Sequence, residues 1–351
     1  FGPRHGIEAV ALGTLIGAAG ATLVKLPALR RTGFRWRKGF SLRNPGLRRM
    51  LLLMPPAIVG AGAGQINTIV DRMLASGLPE GRVAALNYAN RLMNLAPGIL
   101  GASLVTVMYP RLAGLAARRD WKGFSDKLVG TLSMIHFLLA PIAMGAIVLR
   151  EPLVRIVYER GVFDGAATRE TAWALLFLSL GMPVFTMRDM VSRSFFALQD
   201  TRTPMVVGLI TVGINVLLNL LLVGPLEQGG LALATSIASL CGLIASLWLM
   251  CKRAQAPLGI DRLVGSVIRV LAAAAVMGGV VWWSYPCIDR MWPRSTMSLE
   301  VVKVTLVALE GAIVYATMAW MLRVEIMKPM IDIWVRVARS LLVSIGCKRG
   351  T

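Results

Sequence analysis

Two groups of polar residues stand inside apolar runs of this chain, and each suits a particular chemistry. In "LNYANRLMNLAPGILG", Leu86 to Gly101, Arg91 is accompanied by asparagines at positions 87, 90 and 94. The i−4 and i+3 spacings place Asn87 and Asn94 on Arg91's helical face, making a polar stripe. A guanidinium presents a planar fork of donors that suits phosphate or carboxylate oxygens. Carrying a charge to mid-membrane costs ~2.5 to 3.5 kcal/mol. A lone arginine escapes by snorkelling to the headgroups, but a stripe favours a water-filled cavity.

The second group is Asp71, Asn215, Asn219 and Thr235. The i, i+4 spacing puts both asparagines on one face. One carboxylate with neutral oxygen donors suits a hard monovalent cation better than a transition metal, because no imidazole or thiolate is offered. Interhelical hydrogen bonding, with Asp71 paired to Arg72, is the alternative. The residue types leave both open.

No catalytic set accompanies these groups. Cys241, Cys251, Cys287 and Cys347 are scattered without a CxxC motif, and His5 and His136 share no nearby carboxylate. No nucleophile, acid/base pair or metal cluster emerges, so the expectation is a protein that is not an enzyme and holds no cofactor.

The elements that position these residues must be membrane helices. The 351 residues are 56% hydrophobic and 16% charged, with mean hydropathy +0.66, too little charge for a soluble surface of this size. The net charge of +20 falls between apolar runs rather than on one basic face, which excludes nucleic acid as a partner. A helix needs about 20 apolar residues to cross the bilayer. Nine segments qualify, at about 7 to 24, 51 to 75, 83 to 110, 128 to 149, 171 to 195, 204 to 224, 229 to 250, 263 to 284 and 299 to 322.

Basic loops resist translocation and set orientation. Lys25 to Arg49 carries nine basic residues and no acid, 111 to 127 five against two, and 252 to 262 three against one. These become cytoplasmic, placing the visible start outside and the C-terminus inside. Opposite them, Arg150 to Glu170 is balanced, four against four. On that topology Asn219 stands about 22 Å and Asp71 about 24 Å from the cytoplasmic side, and Thr235 about 9 Å below the outer side of a ~30 Å core, so the three can meet. Residues 326–351 place apolar side chains along one helical face and suit an interfacial helix. The start, "FGPRHGIEAV", has neither methionine nor signal-peptide features, and the expectation is a fragment. Among the other charges, Arg188, Asp189 and Arg193 are expected to cap or pair near the cytoplasmic end of the fifth span. Arg269 is expected to snorkel, and Glu310 to line a groove or be protonated.

The segments "ERGVFDGAATRETAWAL", 159 to 175, "SRSFFALQDTRTPM", 192 to 205, and "GGLALATSIAS", 229 to 239, resemble the MurJ (MviN) lipid II flippase family of the MOP transporter superfamily. The resemblance runs from about residue 7 to 325. It is carried most specifically by Arg160, Gly161 and Phe163, followed by Asp200, Thr201, Arg202, Thr203 and Pro204. It implies an all-α polytopic fold with two six-helix lobes around a cavity and two extra helices forming a lipid-tail groove. On that template residues 1–49 supply the last helix of the N-terminal lobe and a basic cytoplasmic loop. Residues 50–253 supply the C-terminal six-helix lobe, 254–325 the two extra helices, and 326–351 an amphipathic cytoplasmic tail.

By position, "YANRLMNLAPG" is similar to the family segment YADRLMEFPxG, which implies that Arg91 engages the lipid diphosphate. This chain departs by carrying Asn90 and Asn94 where acids are common. That leaves Arg91 less neutralised and removes a salt-bridge switch. The family's sodium site resembles Asp71, Asn215, Asn219, Thr235 and the backbone carbonyl of Leu231, implying sodium as a coupling ion. The implied function is flipping of lipid II from the inner to the outer leaflet of the bacterial cytoplasmic membrane by alternating access, with lipid II and membrane lipids as partners. The competing expectation within the superfamily is an exporter of drugs or other lipid-linked oligosaccharides.

Overall fold

The computed structural model describes residues 2–31, 45–253, 257–292 and 296–324, and all its described regular structure is helical. The chain divides into two compact units, Phe1–Leu52 and Leu53–Thr351. The first contains α1 (Gly2–Arg31), with an apolar stretch at Leu12–Pro27, and the opening turns of α2 (Pro45–Ser76). The second contains the rest of α2, then α3 (Arg82–Met93), a π-helical turn at Pro97–Gly101, α4 (Ala102–Ala117), α5 (Trp121–Val148) and α6 (Arg150–Tyr158). It continues through α7 (Gly165–Ala197), α8 (Arg202–Leu226), α9 (Gln228–Arg253), α10 (Ile260–Met291) and α11 (Met297–Met321).

Seven helices among the described residues are long and apolar enough to cross a membrane: Pro97–Ala117 and those of α5, α7, α8, α9, α10 and α11. The expected first and second spans fall on α1 and α2, outside these seven, and the count of nine stays an expectation. The expected third span, 83 to 110, is not one continuous helix. Pro97 has no N–H to continue the ladder, and Asn94 already closes α3, its backbone N–H and its Nδ2 both donating to Asn90 O over 3.0 and 2.8 Å. The chain restarts through the π turn and extends to Ala117. The expected amphipathic tail, 326–351, and most of the basic loop lie outside the described residues.

Acidic side chains start the later helices. Asp120 Oδ1 accepts from Gly123 N and Asp164 Oδ1 from Ala167 N, both at 2.9 Å, satisfying donors that a helix start leaves open. One core joins α5, α7 and α9 through buried Leu128, Leu132, Leu175, Met190, Phe195 and Leu231. A second joins α5, α10 and α11 through Phe137, Val270, Met277, Val281, Val307 and Tyr315, and Tyr315 Oη donates to Phe137 O over 2.8 Å. The opposite faces leave Leu217, Leu220, Leu221, Trp282 and Trp283 more than half exposed, apolar surface of the kind that meets lipid.

Candidate functional site

The α2 turn from Asn67 to Asp71 meets α8 and α9 in a buried polar cluster. Asn67 Nδ2 donates to Asp71 Oδ2 over 3.0 Å, and Asn219 Nδ2 donates to Asp71 Oδ1 over 2.6 Å and to Asn215 Oδ1 over 2.8 Å. Asn215 Nδ2 contacts Thr235 Oγ1 at 3.2 Å, and Thr235 Oγ1 donates to Leu231 O over 2.9 Å. Asn215 and Asn219 are 2% and 0% exposed, so their amides need partners inside the protein. Every residue of the expected cation group therefore converges. Asp71 bonds these asparagines rather than Arg72.

The orientation of the Asn215 amide decides the hydrogen bonds of the cluster. In the orientation above, its oxygen lies 2.8 Å from Asn67 Oδ1 and 3.2 Å from Asp71 Oδ1. Turning the amide relieves these two short oxygen contacts. Turned, Nδ2 donates to both oxygens and Oδ1 accepts from Thr235 N over 3.1 Å. Asn219 Oδ1 is buried without a hydrogen-bond partner. A carboxylate, amide oxygens and a hydroxyl make a donor set for a hard cation of low charge. A cavity of about 240 Å³ adjoins the cluster, lined by Asn67, Asn215, Thr235, Thr211, Ser239 and Arg188. Arg188 thus faces this cavity, whereas the expected pairing near the end of α7 belongs to Arg193, whose Nε donates to Asp189 Oδ2 over 3.0 Å.

On α3 the core side is Ala85, Leu86, Ala89 and Met93. Arg91, Asn87 and Asn94 occupy the opposite face and are exposed, as helical periodicity requires. Among the described residues Arg91 has no ion pair. Beside it, Tyr88 packs at a tilt against Tyr158, 4.8 Å between ring centroids, and edge-on against Phe163 at 5.3 Å, and Tyr158 Oη donates to Tyr88 O over 3.3 Å. Burial pushes the Tyr158 phenol above its ordinary range, opposed by the charge of Arg91. The N-terminal end of α3 is held by Arg82, which pairs with Glu170 and, over 2.8 Å, with Glu227; Gln228 Nε2 donates to Glu170 Oε2 over 2.6 Å.

The motif residues shape turns. Gly161 has φ +60, a conformation that favours glycine, and Phe163 beyond it reaches Tyr88. Arg160 Nη2 donates to Ile156 O over 3.2 Å. Asp200 accepts from Arg202 N at 3.1 Å, Thr203 N at 3.0 Å and Thr203 Oγ1 at 2.6 Å, and it pairs with Arg253 at the end of α9. Thr201 is the residue before α8, and Pro204 sits in its first turn, where proline loses no hydrogen bond.

Sequence reasoning overlooked Asn67, although its i−4 spacing from Asp71 was a usable signal. It also overlooked Lys303, 0% exposed, whose Nζ donates to Asp289 Oδ1 over 2.9 Å and Glu300 Oε1 over 3.4 Å, tying α10 to α11. No local pattern announces that pairing. Between these two helices and α3, α5 and α7 lies an apolar cavity of about 460 Å³, reached by Leu92, Ala96, Leu149, Met277, Gly311 and Tyr315. Glu310 is half-buried and does not line it, and Arg269 Nη1 donates to Arg323 O over 3.4 Å.

Comparison with known proteins identifies the arrangement. A family model described as "Lipid II flippase MurJ" matches residues 1–303. A protein of Vibrio cholerae serotype O1 named "Probable lipid II flippase MurJ" is 28% identical over 303 residues, 86% of this chain and 57% of its own length. One of the same name from Rhizobium meliloti is 33% identical over 306 residues, 84% of this chain and 56% of its own. The chain thus spans about half the length of the curated relatives it matches. Among solved structures, "Lipid II flippase MurJ, inward closed conformation" aligns with TM-score 0.68 at 24% identity, covering 93% of this chain and 64% of that one. An outward-facing multidrug resistance MATE transporter of the MOP superfamily aligns at 0.52 with 16% identity, covering 79% and 65%. Both likenesses establish the fold, an all-helical arrangement shared with these transporters.

Proposed function

Because the chain belongs to the lipid II flippase MurJ family, we propose that it moves lipid II, the undecaprenyl-diphosphate-linked peptidoglycan precursor, from the inner to the outer leaflet of the bacterial cytoplasmic membrane. The observation that carries this reading is Arg91, exposed on the polar face of α3 and without an ion pair among the described residues. An unneutralised guanidinium is suited to the diphosphate, with Asn87 and Asn94 beside it for the sugar and peptide oxygens; the Asn94 amide also serves the end of α3. The apolar cavity between the lobe and α10–α11 suits the polyprenyl tail. No bond of the substrate is broken, so the activity is transport rather than enzymatic.

Alternating access follows if this lobe rocks against a counterpart and the two states bind the head or a cation with different affinity. Asp71, Asn67, Asn215, Asn219, Thr235 and the Leu231 carbonyl would hold sodium, whose charge would take the place of the turned Asn215 amide. The basic loops orient the chain with residue 1 outside and the C-terminus in the cytoplasm. The solved structures it resembles include a multidrug resistance transporter, but an exposed helix face marked by arginine favours an anionic lipid over a cationic drug. The test is complementation: in cells depleted of their own flippase, the full-length protein should restore growth and outer-leaflet lipid II. Failure of both in a correctly inserted protein refutes the reading.

A further inference from the structure

A cavity of about 560 Å³ opens between residues 79–88 and 162–171, apart from the cation cluster and the groove. Its volume is that of a small-molecule site. Three carboxylates line it, those of Glu80, Asp164 and Glu170, against one cation, Arg82. Arg82 is already engaged by Glu170 and Glu227. Glu80 and Asp164 have no ion pair among the described residues, and Asp164 serves only the first turn of α7.

A second feature marks the cavity as a site. Thr171 lines it, is 0% exposed, and its Oγ1 has no hydrogen-bond partner. A helical threonine ordinarily returns its hydroxyl to the carbonyl four residues back, as Thr168 does to Asp164 O at 3.1 Å and Thr186 to Met182 O at 3.4 Å. A buried hydroxyl left unsatisfied carries its full desolvation cost unless a ligand meets it. Tyr88, also lining the cavity, offers an aromatic face, which attracts an ammonium group.

We propose that this cavity binds an ammonium-bearing peptide group, with Glu80 and Asp164 taking its charge, Thr171 Oγ1 its hydrogen bond and Tyr88 its alkyl stem. This deepens the transport reading and rests on it in one respect: the peptide would belong to the translocated head. The cavity lies on the helix that carries Arg91, three residues beyond Tyr88, so one head could engage both.

The test uses full-length protein in detergent and, as probe, a pentapeptide with a capped N-terminus and one free lysine amine, compared with the same peptide acetylated on that amine. A charge-assisted contact predicts about tenfold or more tighter binding of the free amine. Glu80→Gln and Thr171→Val, the latter close to isosteric, should each remove most of that preference without lowering the melting temperature. Equal binding of both peptides, or an amine preference that survives both substitutions, overturns the proposal. Outer-leaflet lipid II exposure is scored in parallel. Amine-selective binding without exposure upholds the cavity and refutes the transport reading, and exposure with equal peptide binding does the reverse.

Discussion

Asn219 Nδ2 donates to Asp71 Oδ1 across 2.6 Å, joining residues 148 positions apart and fastening α8 to α2. Asn215, one turn away on α8, completes the cluster and links it to Thr235 on α9. The cluster is therefore a helix clamp, and its carboxylate and amide oxygens are the donor set proposed above for sodium.

Sodium should raise the melting temperature of the full-length protein relative to equal ionic strength of choline chloride, because a ligand that binds only the folded state stabilises it by mass action. Asp71→Asn should abolish the sodium effect, as should Asn219→Leu. A sodium-dependent rise that survives Asp71→Asn would remove the cluster as the binding site.

Tyr158→Phe deletes the bond to Tyr88 O and should destabilise by about 0.5 to 1.5 kcal/mol. It should also reveal a sign. The folded-state phenol lies above its ordinary value of about 10, so its contribution is fully present below that pH and is lost only as the pH rises beyond it. Unfolding of wild type measured from pH 7 to 11 should show an alkaline decline that Tyr158→Phe reduces; an identical decline in both would contradict the assignment.

Asp200→Ala removes three acceptor contacts at the start of α8 and the partner of Arg253. Loss of such a cap costs about 0.5 to 2 kcal/mol. The melting temperature and membrane yield should fall, while Asp200→Ser, which can still cap, should recover part of the loss. Unchanged stability of Asp200→Ala would mean that the turn is held elsewhere.

Gly230→Ala should be severe. A Cβ at Gly230 would run into the backbone of Leu222, which cannot move aside as a side chain can, and relief would shift the adjoining Leu231 carbonyl. We expect loss of folded protein, or a folded protein without the sodium response; wild-type behaviour would show that α8 and α9 are not in this contact.

How much of this was readable in the sequence follows from distance along the chain. Asn215 with Asn219, and Arg91 opposite Ala89 and Met93, are helical periodicities, and local spacing reveals them. Span depth brought Asp71 and Thr235 to the same level, so even that long-range meeting was accessible by counting. The break at Asn94–Gly101 was not taken from the sequence, although Pro97 signals it, because the apolar run continues on both sides. The edge-on contact of Phe163 with Tyr88 and the burial of Lys303 against Asp289 depend on how separate helices pack. Residue types alone do not encode that.

The most direct test is Arg91→Ala in the full-length protein, scored by the amount of lipid II exposed in the outer leaflet of cells that depend on this copy. An arginine that holds the diphosphate makes contacts to a charged group worth about 1.5 to 3 kcal/mol. Exposure should therefore fall by tenfold or more at normal protein abundance, with only partial recovery in Arg91→Lys, whose point charge lacks the planar fork. Wild-type exposure in Arg91→Ala would contradict the account.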